Sequence, residues 1–178
     1  LEASVRTTQG HPMVVAHSPK VSGPQVLFYG HYDVQPADPI ALWDSEPFEP
    51  VLRPQPDGET HIVGRGASDD KGALMTFVEA CRAYVEIRGA LPLNVKFLFE
   101  GEEESGSRSL APFLEATADE LRADTVLVCD TDMWDRETPA VTTMLRGLVG
   151  QEITITCADR DLHSGMFGNA ARNPNQLL

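Results

Sequence analysis

The chain has 178 residues, of which 42% are hydrophobic, so it is long enough and apolar enough to form a packed globular domain. Its 27 Asp and Glu residues outnumber its 14 Lys and Arg residues and give a formal net charge of −13. This charge argues against nucleic acid and anionic membranes as partners. No stretch of the sequence is apolar over the length that a membrane-spanning helix requires.

The three cysteines indicate a reducing environment. Cys81, Cys129 and Cys157 lie far apart, are odd in number and stand among apolar residues, and the chain has no Cys-x-x-Cys pair. This pattern is typical of reduced core cysteines rather than of a disulfide framework or a zinc-thiolate site. We therefore expect an intracellular, cytoplasmic protein.

Hydrophobic patterning predicts strands that alternate with helices. Apolar residues recur at helical spacing over 73–85, with Gly89 at the position of a C-cap, and residues 110–121 are also predicted to be helical. This order favours an α/β fold with a mostly parallel sheet flanked by helices. Short apolar runs predict six strands, at residues 13–16, 26–29, 51–53, 60–63, 94–99 and 125–129.

The sequence changes in character after Pro139. Residues 140–145 and 151–156 are predicted to be strands, and Gly147 and Gly150 separate them. We therefore expect one domain at 1–146 and the beginning of a second, smaller domain at 147–178.

A histidine and an aspartate follow the buried strand at 26–29. Gly30 precedes His31, and Asp33 comes two residues later. Alternate residues of an extended chain point the same way, so His31 and Asp33 are predicted to leave the strand together. A neutral imidazole is a common metal ligand, and its second nitrogen requires a carboxylate or carbonyl partner. Two solvated residues at a strand end would be the plainer interpretation, but further acidic clusters favour a metal site.

Three acidic clusters lie at the ends of other predicted elements. The first opens the helix at 73–85, where helix capping alone would also favour aspartate. The other two follow predicted strands, and in open α/β sheets the functional site lies at the carboxyl ends of strands. The clusters are Asp69-Asp70, Glu102-Glu103-Glu104, and Asp130 with Asp132.

One histidine with several carboxylates suits zinc, manganese or cobalt in a hydrolytic site. Two such ions about 3.5–4 Å apart would activate a bridging water and polarise a carbonyl. A carboxylate that binds neither ion would then act as the general base.

Four motifs occur in order along most of the chain. They are Gly-His-Tyr-Asp-Val-Gln-Pro at 30–36, Gly-Arg-Gly-Ala-Ser-Asp-Asp-Lys-Gly at 64–72, Glu-Glu-Ser-Gly-Ser at 103–107 and Asp-Leu-His-Ser-Gly at 161–165. Together they resemble the co-catalytic metallopeptidases related to carnosine dipeptidase, aminoacylase, carboxypeptidase G and succinyl-diaminopimelate desuccinylase. The amino-acid sequences of these motifs are most similar to those of the cytosolic non-specific dipeptidase branch of that family. The resemblance implies a zinc-exopeptidase-like catalytic domain, followed by an α+β lid and dimerisation domain.

The resemblance also implies a metal-ligand set for two divalent ions, with zinc expected and manganese or cobalt as alternatives. Asp69 would bridge the ions and would precede a cis peptide bond. The ligands inside this chain are His31, Asp69, Glu104 and Asp132.

Three further residues take catalytic roles in this resemblance. Asp33 would orient His31, and Glu103 would be the general base. His163 would lie on the lid domain and reach the site of the partner subunit, where it would stabilise the tetrahedral intermediate.

Two placements depend on the alignment with that family. Three glutamates precede Ser105 where the motif requires two, so Glu102 is taken as spare. Asp130 competes with Asp132, since both point alike at a period of two, and alignment on Val-Cys and Trp134 favours Asp132.

The family's last metal ligand, a distal histidine, has no counterpart in these 178 residues. The chain also begins at Leu1 and stops near a predicted helix start, so we expect it to be a piece of a longer protein. By itself this piece is expected to bind at most one metal and to be inactive.

The sequence therefore predicts a dinuclear metal-dependent hydrolase that cleaves dipeptides or related small peptides and acts as a homodimer. An N-acyl amino acid amidohydrolase of the aminoacylase or desuccinylase type is one alternative. A non-catalytic family member that serves as a binding or assembly module is another.

Overall fold

The computed structural model describes all residues from Leu1 to Leu178, and the chain divides into two compact units, Leu1–Pro139 and Ala140–Leu178. The predicted domain boundary between residues 146 and 147 falls inside the second unit. The sheet and the acidic clusters all belong to the first unit.

A five-stranded sheet organises the first unit. Its strands are β1 (Glu2–Arg6), β2 (Met13–His17), β3 (Gln25–His31), β6 (Asn94–Glu100) and β7 (Thr125–Val128), and a separate antiparallel hairpin consists of β4 (Val51–Pro54) and β5 (Thr60–Val63). In space the strands of the sheet follow the order β1-β2-β6-β3-β7, where β3 pairs in parallel with β6 and β7, and β2 pairs antiparallel with β1 and β6.

The α/β class is confirmed, but the sheet is mixed rather than mostly parallel. The connection from β1 to β2 covers only residues 7–12. A parallel pair needs a crossover of about a dozen residues or more, so these two strands can only form a hairpin. β1 is not among the predicted strands, because its alternating, largely exposed residues give a weak apolar signal.

Helices cover both faces of the sheet. α1 (Lys71–Arg88) ends as predicted at Gly89, whose φ of 80° is left-handed and whose N–H donates to Val85 O at 2.7 Å. The predicted helix at 110–121 forms two short helices, α2 (Leu110–Ala116) and α3 (Ala118–Leu121), with the break at Thr117. No helix of the structure combines the length and the apolar character needed to cross a membrane.

Alternation along β3 supplies two hydrophobic cores. Leu27 and Tyr29 pack on the face that α3 covers, whereas Phe28 packs on the face that α1 covers, where its ring stacks on Phe77 with centroids 4.1 Å apart. Burial of one such side chain contributes about 1.5–3 kcal/mol, so β3 is fixed firmly between the two cores.

The parallel pairing brings three strand ends to one edge of the sheet. In register His31 lies beside Glu100 of β6, and Tyr29 lies beside Val128 of β7. The loops that follow β3, β6 and β7 therefore leave the sheet next to one another.

The second unit has no strand, so the strands predicted at 140–145 and 151–156 are wrong for this structure. Its regular elements are the short helix α4 (Ser164–Phe167) and a helical turn at Pro174–Gln176. A segment with strand-like sequence forms a stable strand only when another segment pairs with it. No segment of this unit pairs with residues 140–145 or 151–156.

Gly30 gives a test of how closely α1 packs on β3. A Cβ at Gly30 would lie 2.9 Å from Asp70 Oδ2 and 3.3 Å from Leu74 Cδ1. Gly30→Ala should lower the free energy of unfolding by about 1–3 kcal/mol, the usual effect of overpacking. Urea denaturation measures this, with Gly147→Ala as the control because a Cβ there meets nothing within 4 Å. Equal stability of the two variants would contradict the close packing.

Candidate metal centre

His31 is the last residue of β3 and its side chain is fully buried. Its Nδ1 lies 3.1 Å from the carbonyl oxygen of Asp33 and 3.3 Å from Asp33 Oδ1. Two acceptors at Nδ1 favour the tautomer in which this nitrogen carries the proton. The lone pair of Nε2 is then available to a metal ion.

Nε2 of His31 faces three carboxylates from three different loops. The distances are 3.0 Å to Asp69 Oδ1, 3.6 Å to Asp130 Oδ2 and 4.0 Å to Glu103 Oε2. One side-chain nitrogen or oxygen atom from each of His31, Glu103 and Asp130 lies within 4.8 Å of the other two. One imidazole nitrogen with converging carboxylate oxygens is a donor set that fits a divalent cation such as zinc, manganese or cobalt.

Asp33 joins the loop after β3 to the loop after β6. Its Oδ1 accepts the backbone N–H of Glu103 at 3.2 Å, and its Oδ2 accepts that of Glu104 at 3.0 Å. The same side chain contacts His31, and it is mostly buried. Asp33 therefore fixes His31 and the two glutamates relative to one another.

The three consecutive glutamates point to different partners. Glu102 Oε2 accepts the N–H of Ser109, and hydrogen bonds from Ser109 hold the pKa of Glu102 below its ordinary value. Glu103 faces His31, and Glu104 Oε2 accepts Gln35 Nε2 at 2.7 Å. Glu102 thus closes the turn before α2 and lies outside the group around His31.

Asp130, and not Asp132, lies beside His31. β7 ends at Val128, and the chain bends at Thr131 between the two aspartates, so the alternation that would make both side chains point alike is lost. Asp132 is exposed and is not part of the group. The geometry thus favours Asp130 over the predicted Asp132.

Burial and mutual repulsion set the charge state of this group. Burial raises the pKa of Glu103 and of Asp130, and neighbouring carboxylates raise both pKa values further. Burial by itself lowers the pKa of His31, but Asp130, Asp69, Asp70 and Glu103 outweigh this and raise the pKa overall. A metal ion would therefore compete with protons for these groups.

Two buried carboxylates next to the site are absent from the predicted set. Asp70, which follows a cis peptide bond from Asp69 as the resemblance implies, accepts the N–H of His31 at 3.0 Å through Oδ2. Glu100 accepts the hydroxyls of Tyr29 and of Ser107, the latter at 3.0 Å. Asp70 Oδ1 and Glu100 Oε2 have no hydrogen-bond partner. Sequence signals exist for both residues, since Asp70 belongs to the acidic cluster that opens α1 and Glu100 ends an apolar strand, but neither signal indicates burial.

His163 belongs to the second unit and is described there by itself. It is exposed and precedes α4, where its Nδ1 accepts the N–H of Gly165 at 3.0 Å. This contact leaves Nε2 free, but it does not assign the residue a role.

Carboxylates that surround a buried imidazole at the carboxyl edge of an α/β sheet are an arrangement in which metal-dependent hydrolases hold their ions. Residues 27–168 match the family described as peptidase family M20/M25/M40. The chain belongs to this peptidase family.

Named relatives agree with this assignment. The chain is 38% identical over 151 residues to the Cys-Gly metallodipeptidase dug1 of Schizosaccharomyces pombe, a match that covers 84% of this chain and 31% of that protein. It is 37% identical to the human Beta-Ala-His dipeptidase, with 84% and 29% covered. The chain thus spans about three tenths of the length of these relatives.

Solved structures give the same result. Human carnosine dipeptidase 1 superposes with a TM-score of 0.69 at 30% identity, covering 98% of this chain and 38% of that chain. The metallo-carboxypeptidase Sso-CP2 from Sulfolobus solfataricus superposes with a TM-score of 0.65 at 40% identity, covering 71% and 28%.

The choice between Asp130 and Asp132 can be tested by zinc titration. Asp130→Asn should weaken zinc binding by more than about a hundred-fold, because losing even an outer partner of a ligand typically costs roughly 10- to 100-fold. Asp132→Asn is the matched control and should bind zinc like the wild type. Calorimetry on both variants measures the two affinities, and the reverse order would restore Asp132 as the ligand.

Proposed function

We propose that the protein is a metal-dependent dipeptidase that hydrolyses the amide bond of dipeptides or related small peptides. The observation that carries this proposal is the buried Nε2 of His31 facing Asp69, Asp130 and Glu103. The names of the relatives, Cys-Gly metallodipeptidase and Beta-Ala-His dipeptidase, support the substrate class.

In this proposal His31, Asp69 and Asp130 hold the first metal ion, and Asp69 and Glu104 hold the second. Asp69 suits the shared position because its side chain is 66% exposed, so one oxygen can contact His31 while the other stays open. When bound, two divalent ions polarise the carbonyl of the substrate and lower the pKa of the attacking water. Zinc fits the mixed nitrogen and oxygen donors, and manganese or cobalt would also fit.

Glu103 is the proposed general base. It stands at the edge of the group, its side chain is 39% exposed, and burial raises its pKa toward the range in which a base works near neutral pH. Its backbone is fixed by Asp33, so the carboxylate can accept a proton from water and return it to the leaving amine.

The remaining proposals concern the whole protein. We propose that it is a homodimer in which His163 stabilises the negative charge that develops on the carbonyl oxygen. We also propose a cytoplasmic location, because all three cysteines are unpaired.

Metal dependence and substrate preference together distinguish the proposed dipeptidase from the two alternative functions, an amidohydrolase and a binding module. Chelation of the intact protein should abolish dipeptide hydrolysis, and zinc or manganese should restore it; activity that survives chelation would refute the proposal. An amidohydrolase would instead prefer N-acyl amino acids in a substrate panel. A binding module would hydrolyse neither, with or without metal.

Glu103→Ala should keep both metals and lower turnover by about a hundred- to ten-thousand-fold, the usual contribution of a general base. Glu104→Ala should lose the second metal, and Glu102→Ala should change neither metal content nor turnover. Elemental analysis and a dipeptidase assay on the three variants test this. If Glu103→Ala lost metal while Glu104→Ala kept it, the two roles would have to be exchanged.

His163→Ala should lower turnover without changing the metal content, because the proposed role is charge stabilisation rather than ligation. Heterodimers of one His163→Ala subunit and one Glu103→Ala subunit should recover part of the activity, since one of their two sites would be complete. Purified heterodimers without recovered activity would remove the role across the dimer.

A further inference from the structure

The end of β3 and the loop after it present three side chains at alternate positions. His31 faces the metal ligands, Asp33 accepts the backbone N–H groups of Glu103 and Glu104, and Gln35 reaches the Glu104 carboxylate. This spacing of two is the one at which side chains of an extended segment point the same way. Gln35 is the only member of the three that the proposed mechanism leaves without a function.

Gln35 donates its Nε2 to Glu104 Oε2 at 2.7 Å. This distance is short for an amide donor, as is typical when the acceptor carries a charge. Glu104 is therefore held at two points, because Asp33 Oδ2 fixes its backbone N–H at 3.0 Å and Gln35 fixes one oxygen of its side chain.

We propose that Gln35 is a positioning residue for the second metal ion: it holds Oε2 of Glu104 so that Oε1 alone is presented as a single-oxygen ligand. This inference rests on the proposed function, in which Glu104 binds that ion. In this role Gln35 would act through Glu104 and not by binding the substrate or the first metal itself.

The amide chemistry of Gln35 makes it suited to this role. A glutamine amide donates a hydrogen bond without bringing a positive charge, so Glu104 keeps the full negative charge that a cation requires. A free carboxylate would rotate about its last bond and lose rotational freedom only when the metal binds. Fixing the carboxylate beforehand removes that loss from the binding step.

The first and second metal sites should therefore respond differently when the side-chain amide of Gln35 is removed. Gln35→Leu keeps the approximate size of the side chain and removes the donor. Partners of metal ligands typically contribute roughly 10- to 100-fold to affinity, so the second metal should bind about 10- to 100-fold more weakly. The first metal, held by His31, Asp69 and Asp130, should keep its affinity. A general loss of structure would weaken both.

Cobalt titration of the intact metal-free protein measures this difference, because each equivalent of cobalt can be followed by its visible absorption. In Gln35→Leu the first equivalent should give the spectrum and affinity of the wild type, and the second should bind more weakly. Gln55→Leu is the matched control, since Gln55 donates to Arg53 O on the hairpin, and both of its equivalents should bind normally. Thermal unfolding of the metal-free variants reports on folding separately.

Two outcomes would overturn the inference. If Gln35→Leu binds both equivalents as tightly as the wild type, Gln35 does not position the ligand. If both equivalents weaken together, or Gln55→Leu behaves in the same way, the effect is a general one on the fold. A wild-type protein that binds no cobalt would instead refute the proposed function, which is a separate result.

Discussion

Repulsion among carboxylates around one buried imidazole is the constraint on which the rest of the first unit depends. Asp69, Asp130 and Glu103 all approach Nε2 of His31 within 4.0 Å. Like charges so close together destabilise a folded chain unless protons or a cation compensate them. Burial raises the pKa values of Glu103 and Asp130, and repulsion from neighbouring carboxylates raises them further. A divalent cation relieves it directly, and it also suits the donor atoms.

The surrounding structure holds these charges close despite their repulsion. Two hydrophobic cores fix β3, and parallel pairing brings the loops after β3, β6 and β7 to one edge. Asp33 then connects His31 to the turn that carries Glu103 and Glu104. The geometry of the site is therefore set mainly by backbone contacts, and only its outer part depends on exposed side chains such as Gln35.

The sequence predicts those parts of the fold in which a local signal is strong. Apolar runs give the strands β2, β3, β6 and β7, and helical periodicity with Gly89 gives α1. The position of His31, Asp69 and Glu103 at element ends follows from the same signals. β1 is too polar to be recognised, and the second unit contains β-type sequence for which no pairing partner exists in the structure.

Residues that depend on long-range contacts could not be predicted in this way. The choice of Asp130 over Asp132 depends on a bend at Thr131. The buried positions of Asp70 and Glu100 depend on His31, Tyr29 and Ser107, which lie elsewhere in the chain or across a turn. Neither hydrophobic pattern nor motif spacing carries that information.

Thermal unfolding of the intact metal-free protein with and without zinc tests the central claim most directly. A ligand that binds only the folded state adds about 2.7 kcal/mol at a hundred times its dissociation constant, so zinc should raise the melting temperature of the wild type. Asp69→Asn, which lacks the proposed shared ligand, should show little or no rise. An unchanged melting temperature in the wild type, or an equal rise in Asp69→Asn, would contradict a metal centre at this edge of the sheet.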